Sequence, residues 1–212
     1  MVLSTLTEKQ KMEKIDEIVS NLPLYGLQKK YAKQLNDRKI ADNTILGVHK
    51  YNIEGSRVIR ICIKRTYGCG KRTEGSLCSC YYIESICPYT GKSRWLRPTY
   101  SIYGGSRCIG YAELTNHFIK RVKERTGMDF LDFLLATGTD NIGSIKYDGD
   151  DRLFLKWGDY TLFGYRGETD EIFYITTMVT PDMLFDNQKS DYDELGEFNK
   201  EFEEKKNQLM RA

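Results

Sequence analysis

Residues 143–180 have the sequence GSIKYDGDDRLFLKWGDYTLFGYRGETDEIFYITTMVT, and the hydrophobic period of this stretch decides the fold. Its four segments have a strand-like period of two, because successive side chains of a β-strand point to opposite faces. The segments are joined by DGDD, WGD and RGETD, which contain the residues that favour turns. The stretch therefore predicts an antiparallel meander of four strands.

The residues before the meander predict a helix that packs on it. Thr115 or Asn116 is a suitable N-cap, because each side chain has an oxygen that accepts a backbone N–H. Apolar residues then recur at helical spacing, first at Leu114, Phe118, Ile119 and Val122 and next at Phe130, Leu131, Phe133 and Leu134. Residues 113–188 are accordingly predicted to form a helix packed on an antiparallel four-stranded meander.

The rest of the chain divides into three further segments. Residues 1–43 predict an N-terminal helical arm, with a capping box at Thr7 and Gln10. Residues 44–112 predict an irregular β-rich module, because short β-like pieces alternate with Gly, Ser and Pro. Residues 189–212 predict an acidic helical tail. The fold class is α+β, and the arm or the tail is expected to contact a protein partner.

Charge is distributed unevenly along the chain. Residues 44–125 contain 15 Lys and Arg against 5 Asp and Glu, whereas residues 126–212 contain 9 against 19. Basic and aromatic residues alternate in the basic part, and such sequences favour single-stranded nucleic acid, here preferably RNA. The residues expected to contact it are Arg65, Lys71, Arg72, Arg94, Trp95, Arg97 and Arg107. The alternative is that these residues line the wet face of a sheet.

The composition, 40% hydrophobic and 29% charged residues, is typical of a globular protein and argues against a disordered one. No apolar run has the length of about 18 residues that a membrane span needs, and no signal peptide is recognised. We expect a cytoplasmic protein without a membrane partner. Cys69, Cys78, Cys80 and Cys87 are then interpreted either as ligands of a structural zinc or as free thiols.

The segment HFIKRVKER, residues 117–125, contains the candidate catalytic residues. His117, Arg121, Glu124 and Arg125 share one arc of a helix that has about 3.6 residues per turn. A neutral histidine beside two arginines suits deprotonation of a ribose hydroxyl and binding of the phosphate that it attacks. Glu124 would orient an arginine or exchange a proton. The alternative is an exposed helix face with intrahelical ion pairs.

The pattern His117-x3-Arg121-x2-Glu124-Arg125, followed by IFYITTMVTPDML, resembles the nuclease domains of the barnase, EndoU, colicin and RelE-like superfamily. The resemblance covers about residues 113–188. It implies a helical pair packed on an antiparallel sheet and a metal-free ribonuclease site. By position, His117 would be the acid or base, and Arg121 and Arg125 would hold the phosphate. Thr176 or Thr177 would supply a strand hydroxyl.

Two functions are expected from these patterns. The first is RNA binding with metal-independent endoribonuclease activity that needs no cofactor and leaves a 2′,3′-cyclic phosphate, as in a toxin-like, phage or mobile-element nuclease. The second is a non-catalytic structural or interaction protein, such as a phage assembly or nucleoprotein component. Convergence of His117, an arginine and Thr176 or Thr177 on one cleft would favour the first function.

Overall fold

Strands and helices were assigned from a computed structural model of the protein. It describes residues 3–23, 26–69, 72–101, 107–137, 142–148, 152–169, 171–186, 188, 189, 193 and 197. Within these ranges, the side chains of residues 67–69, 72–74, 101 and 142–148 are not described. The acidic tail predicted for residues 189–212 lies outside the described residues except at three positions.

Nine strands form one mixed sheet in the described residues. They are β1 (Ile45–Ile53), β2 (Ser56–Cys69), β3 (Arg72–Ile86), β4 (Ser93–Ser101), β5 (Arg107–Leu114), β6 (Ile142–Asp148), β7 (Arg152–Trp157), β8 (Tyr160–Arg166) and β9 (Ile172–Val179). The order across the sheet is β1-β2-β3-β4-β5-β9-β8-β7-β6. Strands β5 and β9 pair in parallel, and the other neighbours pair antiparallel.

The fold prediction is correct only at the level of the α+β class. Strands β6 to β9 are a meander, but β9 also pairs with β5, so a separate four-stranded sheet is wrong. The irregular β-rich middle is wrong as well, because β2 and β3 have 14 and 15 residues and form a long regular hairpin. The hydrophobic period of a short segment predicts strands and turns, but it does not indicate which distant strands pair with each other. The proposed boundary between residues 112 and 113 lies inside β5.

Four helices cover the two faces of the sheet in the described residues. They are α1 (Glu8–Ser20), α2 (Leu27–Asn36), α3 (Asn116–Thr126) and α4 (Phe130–Thr137), and short 3-10 helices occur at Leu3–Thr5 and Pro181–Met183. The capping box expected at Thr7 and Gln10 is present. None of these described helices has the length and apolar character that a membrane span requires.

The two faces have different cores. The face covered by α3 and α4, here called the α3 face, buries a large apolar cluster that includes Ile59, Ile61, Ile63, Tyr82, Trp95, Leu114, Phe118, Val122 and Phe133. The opposite face, here called the α1 face, has one cluster under α1, which includes Val58, Ile83, Leu96, Tyr111 and Ile172, and a smaller one of Leu27, Tyr31, Leu35 and Cys62 under α2. The alternation of side chains along each strand accounts for this division.

A buried carboxylate fastens α1 to the middle of the sheet. Glu113 on β5 is 2% exposed, and its two oxygens lie 3.0 Å from Lys11 Nζ and 2.7 Å from Arg94 Nη1. The Lys11 ammonium also lies 5.7 Å and 5.8 Å from the ring centres of Tyr111 and Tyr174. Because a buried charge is costly unless it is paired, this arrangement favours one position of α1 on the sheet.

Replacing Glu113 with alanine should lower the free energy of unfolding by about 3 to 5 kcal/mol, because the Lys11 ammonium would stay buried without a counter-ion. Urea denaturation followed by circular dichroism measures this change. The control is Glu13→Ala on the exposed side of α1, which should change the free energy by no more than about 0.5 kcal/mol. Equal effects of the two substitutions would contradict the role assigned to Glu113.

Candidate functional site

Helix α3 carries the predicted catalytic motif and begins where the sequence indicates. Thr115 is the N-cap, and its hydroxyl oxygen accepts a hydrogen bond from the Phe118 N–H at 3.3 Å. The helix ends at Gly127, whose φ of 72° favours glycine. Phe118 and Val122 are buried against the sheet, while His117 is exposed. The motif is therefore the outer surface of a helix that is fixed by its apolar side.

Three of the predicted catalytic side chains are in contact with one another. Arg121 Nε donates a hydrogen bond to His117 Nε2 at 3.3 Å, and Arg121 Nη1 lies 2.7 Å from Glu124 Oε2. An imidazole nitrogen accepts a hydrogen bond only when it has no proton. The arrangement also matches the intrahelical ion pair expected of an exposed face.

Arg125 makes its hydrogen bond to β9 and not to the other predicted catalytic residues. Its Nη1 donates to the carbonyl oxygen of Met178, and this bond ties the last turn of α3 to the end of β9. Part of the Arg125 side chain is consequently buried. The structure thus gives Arg125 a structural contact, and its phosphate-binding role stays a prediction.

The two threonines of β9 do not meet His117. Thr176 lies where the β8–β9 register shifts, and its hydroxyl donates to the Phe163 carbonyl oxygen at 3.1 Å. Thr177 pairs with Phe163, whose ring packs on the ring of Phe154, on the α1 face. In the described part of the chain no hydrogen bond joins either hydroxyl to His117. The catalytic role of these threonines stays a prediction.

The residues predicted to contact nucleic acid lie on both faces of the sheet. Arg94 pairs with Glu113 on the α1 face, whereas Trp95 is 4% exposed in the core of the α3 face. The Arg97 guanidinium lies 5.0 Å from the ring centre of Trp157 and is also on the α3 face. Arg65 is half-buried and Arg107 is exposed, while Lys71 and the Arg72 side chain lie outside the described residues. Alternation along β4 separates residues that are neighbours in sequence.

The four cysteines proposed for zinc are not brought together. Cys78 and Cys80 are half-buried on the α3 face, opposite Ile63 and Ile61. Cys87 follows the end of β3 and comes seven residues after Cys80, which corresponds to about 23 Å along a strand. Cys69 pairs with Arg72 at the other end of the hairpin, and its side chain is not described. Among the described side chains no cluster of three metal-ligating residues occurs. Binding of a structural zinc by these four cysteines stays a prediction.

The thiols should react with iodoacetamide at different rates, because the thiolate is the reactive form. Hydrogen bonds from Thr90 and from backbone groups at Tyr89 and Thr90 lower the pKa of Cys87. Burial raises the pKa of Cys62, and it raises the pKa of Cys108 to about 11. We expect Cys87 to be alkylated first in a time course read by peptide mass spectrometry.

Denaturation supplies the control for this labelling experiment. In urea, the rate of Cys87 should approach the rates of Cys62 and Cys108, because all three environments are then lost. Faster labelling of Cys108 than of Cys87 in the folded protein would contradict the described environments of these thiols.

A pocket of about 300 Å³ lies on the α3 face between the helices and strands β1 to β4, and the sequence analysis missed it. We call it the α3 pocket. Its lining residues are Lys50, Arg57, Ile59, Glu84, Ser93, Trp95, Asn116, Ile119, Phe130 and Leu131. Of the predicted nucleic-acid contacts whose side chains are described, Trp95 is the one that lines it. The lining comes from six separate elements, so no local motif could have identified the pocket.

An ion pair holds Arg57 at a defined position in the α3 pocket. Arg57 Nε lies 2.8 Å from Glu84 Oε2, and Arg57 Nη2 donates to Glu84 Oε1 at 3.0 Å. The Ser93 hydroxyl donates to the same Oε1 at 2.7 Å. The Arg57 guanidinium also lies 5.2 Å from the centre of the Trp95 ring. A guanidinium has more N–H donors than Glu84 occupies, so Arg57 retains donors for a ligand.

The rim of the α3 pocket is cationic. Lys50 on β1 is exposed, and Arg57 keeps 54% of its side chain exposed. Lys120 is exposed and lies one helical turn after Asn116. Asn116 is the first residue of α3, so it lies at the positive end of the helix dipole. The one carboxylate in the described lining, Glu84, is paired with Arg57. These features suit an anionic ligand with an apolar part.

His117 lies near the α3 pocket but does not point into it. Successive side chains of a helix are about 100° apart, so His117 is about 100° from Asn116 and about 160° from Ile119. The pocket and the predicted catalytic arc are therefore on different sides of α3. A ligand would have to extend from the pocket across the first turn of α3 to reach His117.

Comparisons with protein-family models, with curated proteins and with solved structures gave no match to this chain. The resemblance of residues 113–188 to the nuclease superfamily stays a prediction.

Proposed function

We propose that the protein binds single-stranded nucleic acid, preferably RNA, and holds one nucleotide in the α3 pocket. The observation that carries this proposal is Arg57, which Glu84 fixes over Trp95 at the edge of a pocket of about 300 Å³. Its guanidinium would receive a phosphate or a base edge without reordering, which reduces the entropy cost of binding.

The composition of the pocket supports a nucleotide as the ligand. Phe130 and the guanidinium plane of Arg57 offer surfaces on which a base can stack. Lys50 and Lys120 would contact phosphates on either side of that base. A pocket of this volume accommodates one unstacked base with its sugar, so a base inside a duplex would not enter it. Single strands, loops and ends are accordingly the preferred substrates.

Replacing Lys50 with alanine should weaken RNA binding by about threefold to tenfold, because one phosphate contact is removed. The slope of log K against log salt should also fall by about 0.7, as expected when one cation leaves a single-stranded site. Fluorescence anisotropy with a labelled oligouridine at several salt concentrations measures both quantities.

The control for the binding experiment is Lys33→Ala on α2, which removes an exposed cation from the opposite face. Equal losses with Lys33→Ala and Lys50→Ala would reject the α3 pocket as the binding site. Tighter binding of a DNA strand of matched sequence would reject the preference for RNA. No retention of either strand would favour the non-catalytic interaction protein.

Cleavage of the bound RNA at His117 is the second candidate function. The observation that favours it is an exposed imidazole bonded to Arg121, next to the pocket residue Asn116. Once Arg121 moves from His117 Nε2 to the phosphate, the freed Nε2 would take the proton of a ribose 2′-hydroxyl, whose oxygen attacks the adjacent phosphorus. The bond to the 5′-oxygen breaks, and this oxygen takes a proton from solvent. The product is a 2′,3′-cyclic phosphate, and no metal is required.

Replacing His117 with alanine should lower the rate of RNA cleavage in EDTA by at least about 100-fold, which is the usual contribution of a general base. Fragments of labelled RNA should have cyclic-phosphate ends with the unmodified protein. Lys123→Ala, also on the exposed side of α3, should cleave at the normal rate. Intact RNA with every protein, together with retained binding, would leave binding as the function and remove the cleavage step.

A further inference from the structure

A second cation lies on the α1 face, opposite the α3 pocket, and no described residue serves as its counter-ion. Arg60 on β2 is 7% exposed, and its Nε donates to the Ser79 hydroxyl at 2.9 Å. Its guanidinium lies 5.5 Å from the centre of the Tyr81 ring. Its Nη1 is buried and makes no hydrogen bond, and no carboxylate among the described residues pairs with it.

This arrangement differs from the other buried charges near it. Glu113 has two cationic partners, and the buried Lys64 ammonium donates to the carbonyl oxygens of Asp37 and Ile40 at 2.6 and 2.9 Å. A buried guanidinium is rare unless it is paired, because desolvation of the charge is costly. Arg60 therefore carries a positive charge that the described residues of the sheet do not neutralise.

Arg60 lies between the two apolar clusters of its face. Val58, Arg60 and Cys62 point to the same side of β2, and Val58 belongs to the apolar cluster under α1 while Cys62 belongs to the one under α2. Arg60 is thus placed between the two clusters. The half-buried side chains around it form a strip of the sheet between the two clusters. They are His49, Tyr51, Ser79 and Tyr81.

Hydrogen-bonding groups surround the guanidinium in this strip. His49 pairs with Arg60 across β1 and β2, and its Nε2 lies 2.8 Å from the Tyr31 hydroxyl. Tyr51 stacks on the His49 ring at a centroid distance of 6.3 Å. Burial and the cations of Lys30 and Arg60 lower the pKa of His49. The cluster is rich in donors and lacks a negative charge.

We propose that Arg60 and the side chains around it form a binding site for a phosphate group or a similar oxyanion. The guanidinium Nη1 would bind the oxyanion, and the hydroxyls of Tyr51 and Tyr81 would donate to its remaining oxygens. The site is separate from the α3 pocket and does not depend on the function proposed for it. Free phosphate and a terminal phosphate of an oligonucleotide present the same chemistry.

The test compares the unmodified protein with Arg60→Met, which keeps the volume and removes the charge. Differential scanning fluorimetry is performed in 10 mM inorganic phosphate and in sodium chloride of equal ionic strength. Phosphate should raise the midpoint temperature of thermal unfolding of the unmodified protein by a few degrees, because a ligand that binds only the folded state stabilises that state. The midpoint of Arg60→Met should not change with phosphate. The control Lys33→Met should respond as the unmodified protein does.

Two outcomes would overturn the proposal. One is an equal response of Arg60→Met and the unmodified protein, and the other is no response of the unmodified protein. If Arg60→Met does not fold, Tyr81→Phe replaces it, and isothermal titration with phosphate should give several-fold weaker binding. Titration with a 5′-phosphorylated dinucleotide distinguishes the two candidate ligands, which are free phosphate and the terminal phosphate of an oligonucleotide. Tighter binding than phosphate assigns the site to an oligonucleotide end, and equal or weaker binding assigns it to free phosphate.

Discussion

The parallel pairing of β5 with β9 is the contact on which the architecture depends. Four register pairs, from Tyr111 with Ile172 to Leu114 with Ile175, join two antiparallel halves into one sheet. Parallel neighbours need a long connection, and here α3, α4 and three strands supply it. The close approach also requires Gly110, because a Cβ there would lie 2.2 Å from the Glu171 carbonyl oxygen. The pairing places the start of α3 beside the middle of the sheet.

This position of α3 creates the α3 pocket. The helix and α4 cover β9 and part of β4 but not the outer part of β1 to β3, so the gap between them exposes Arg57 and Lys50. On the opposite face, Arg60 lies between the apolar clusters under α1 and α2. The two arginines lie three residues apart on β2 and point to opposite faces. One is paired with a carboxylate and presents spare donors, whereas the other has no carboxylate partner in the described residues.

Much of the local structure could be predicted from the sequence. The Thr7 capping box, the Thr115 N-cap and the turns of the meander depend on residues within a few positions of one another. The same local geometry predicts that His117, Arg121 and Glu124 share one side of α3, and the structure joins them by hydrogen bonds. The threonines could not be placed in this way, because the register shift between β8 and β9 decides which face Thr177 occupies.

The sequence by itself determined the α+β class, the start of α3 and the exposed polar side of that helix, because hydrophobic period and capping act over a single turn or strand. Only the tertiary structure decided the nine-strand order, the convergence of six elements on the α3 pocket and, among the described residues, the absence of a carboxylate beside Arg60. Each of these depends on contacts between residues far apart in the chain. Such contacts arise from the packing of whole elements, and no short segment of sequence specifies them.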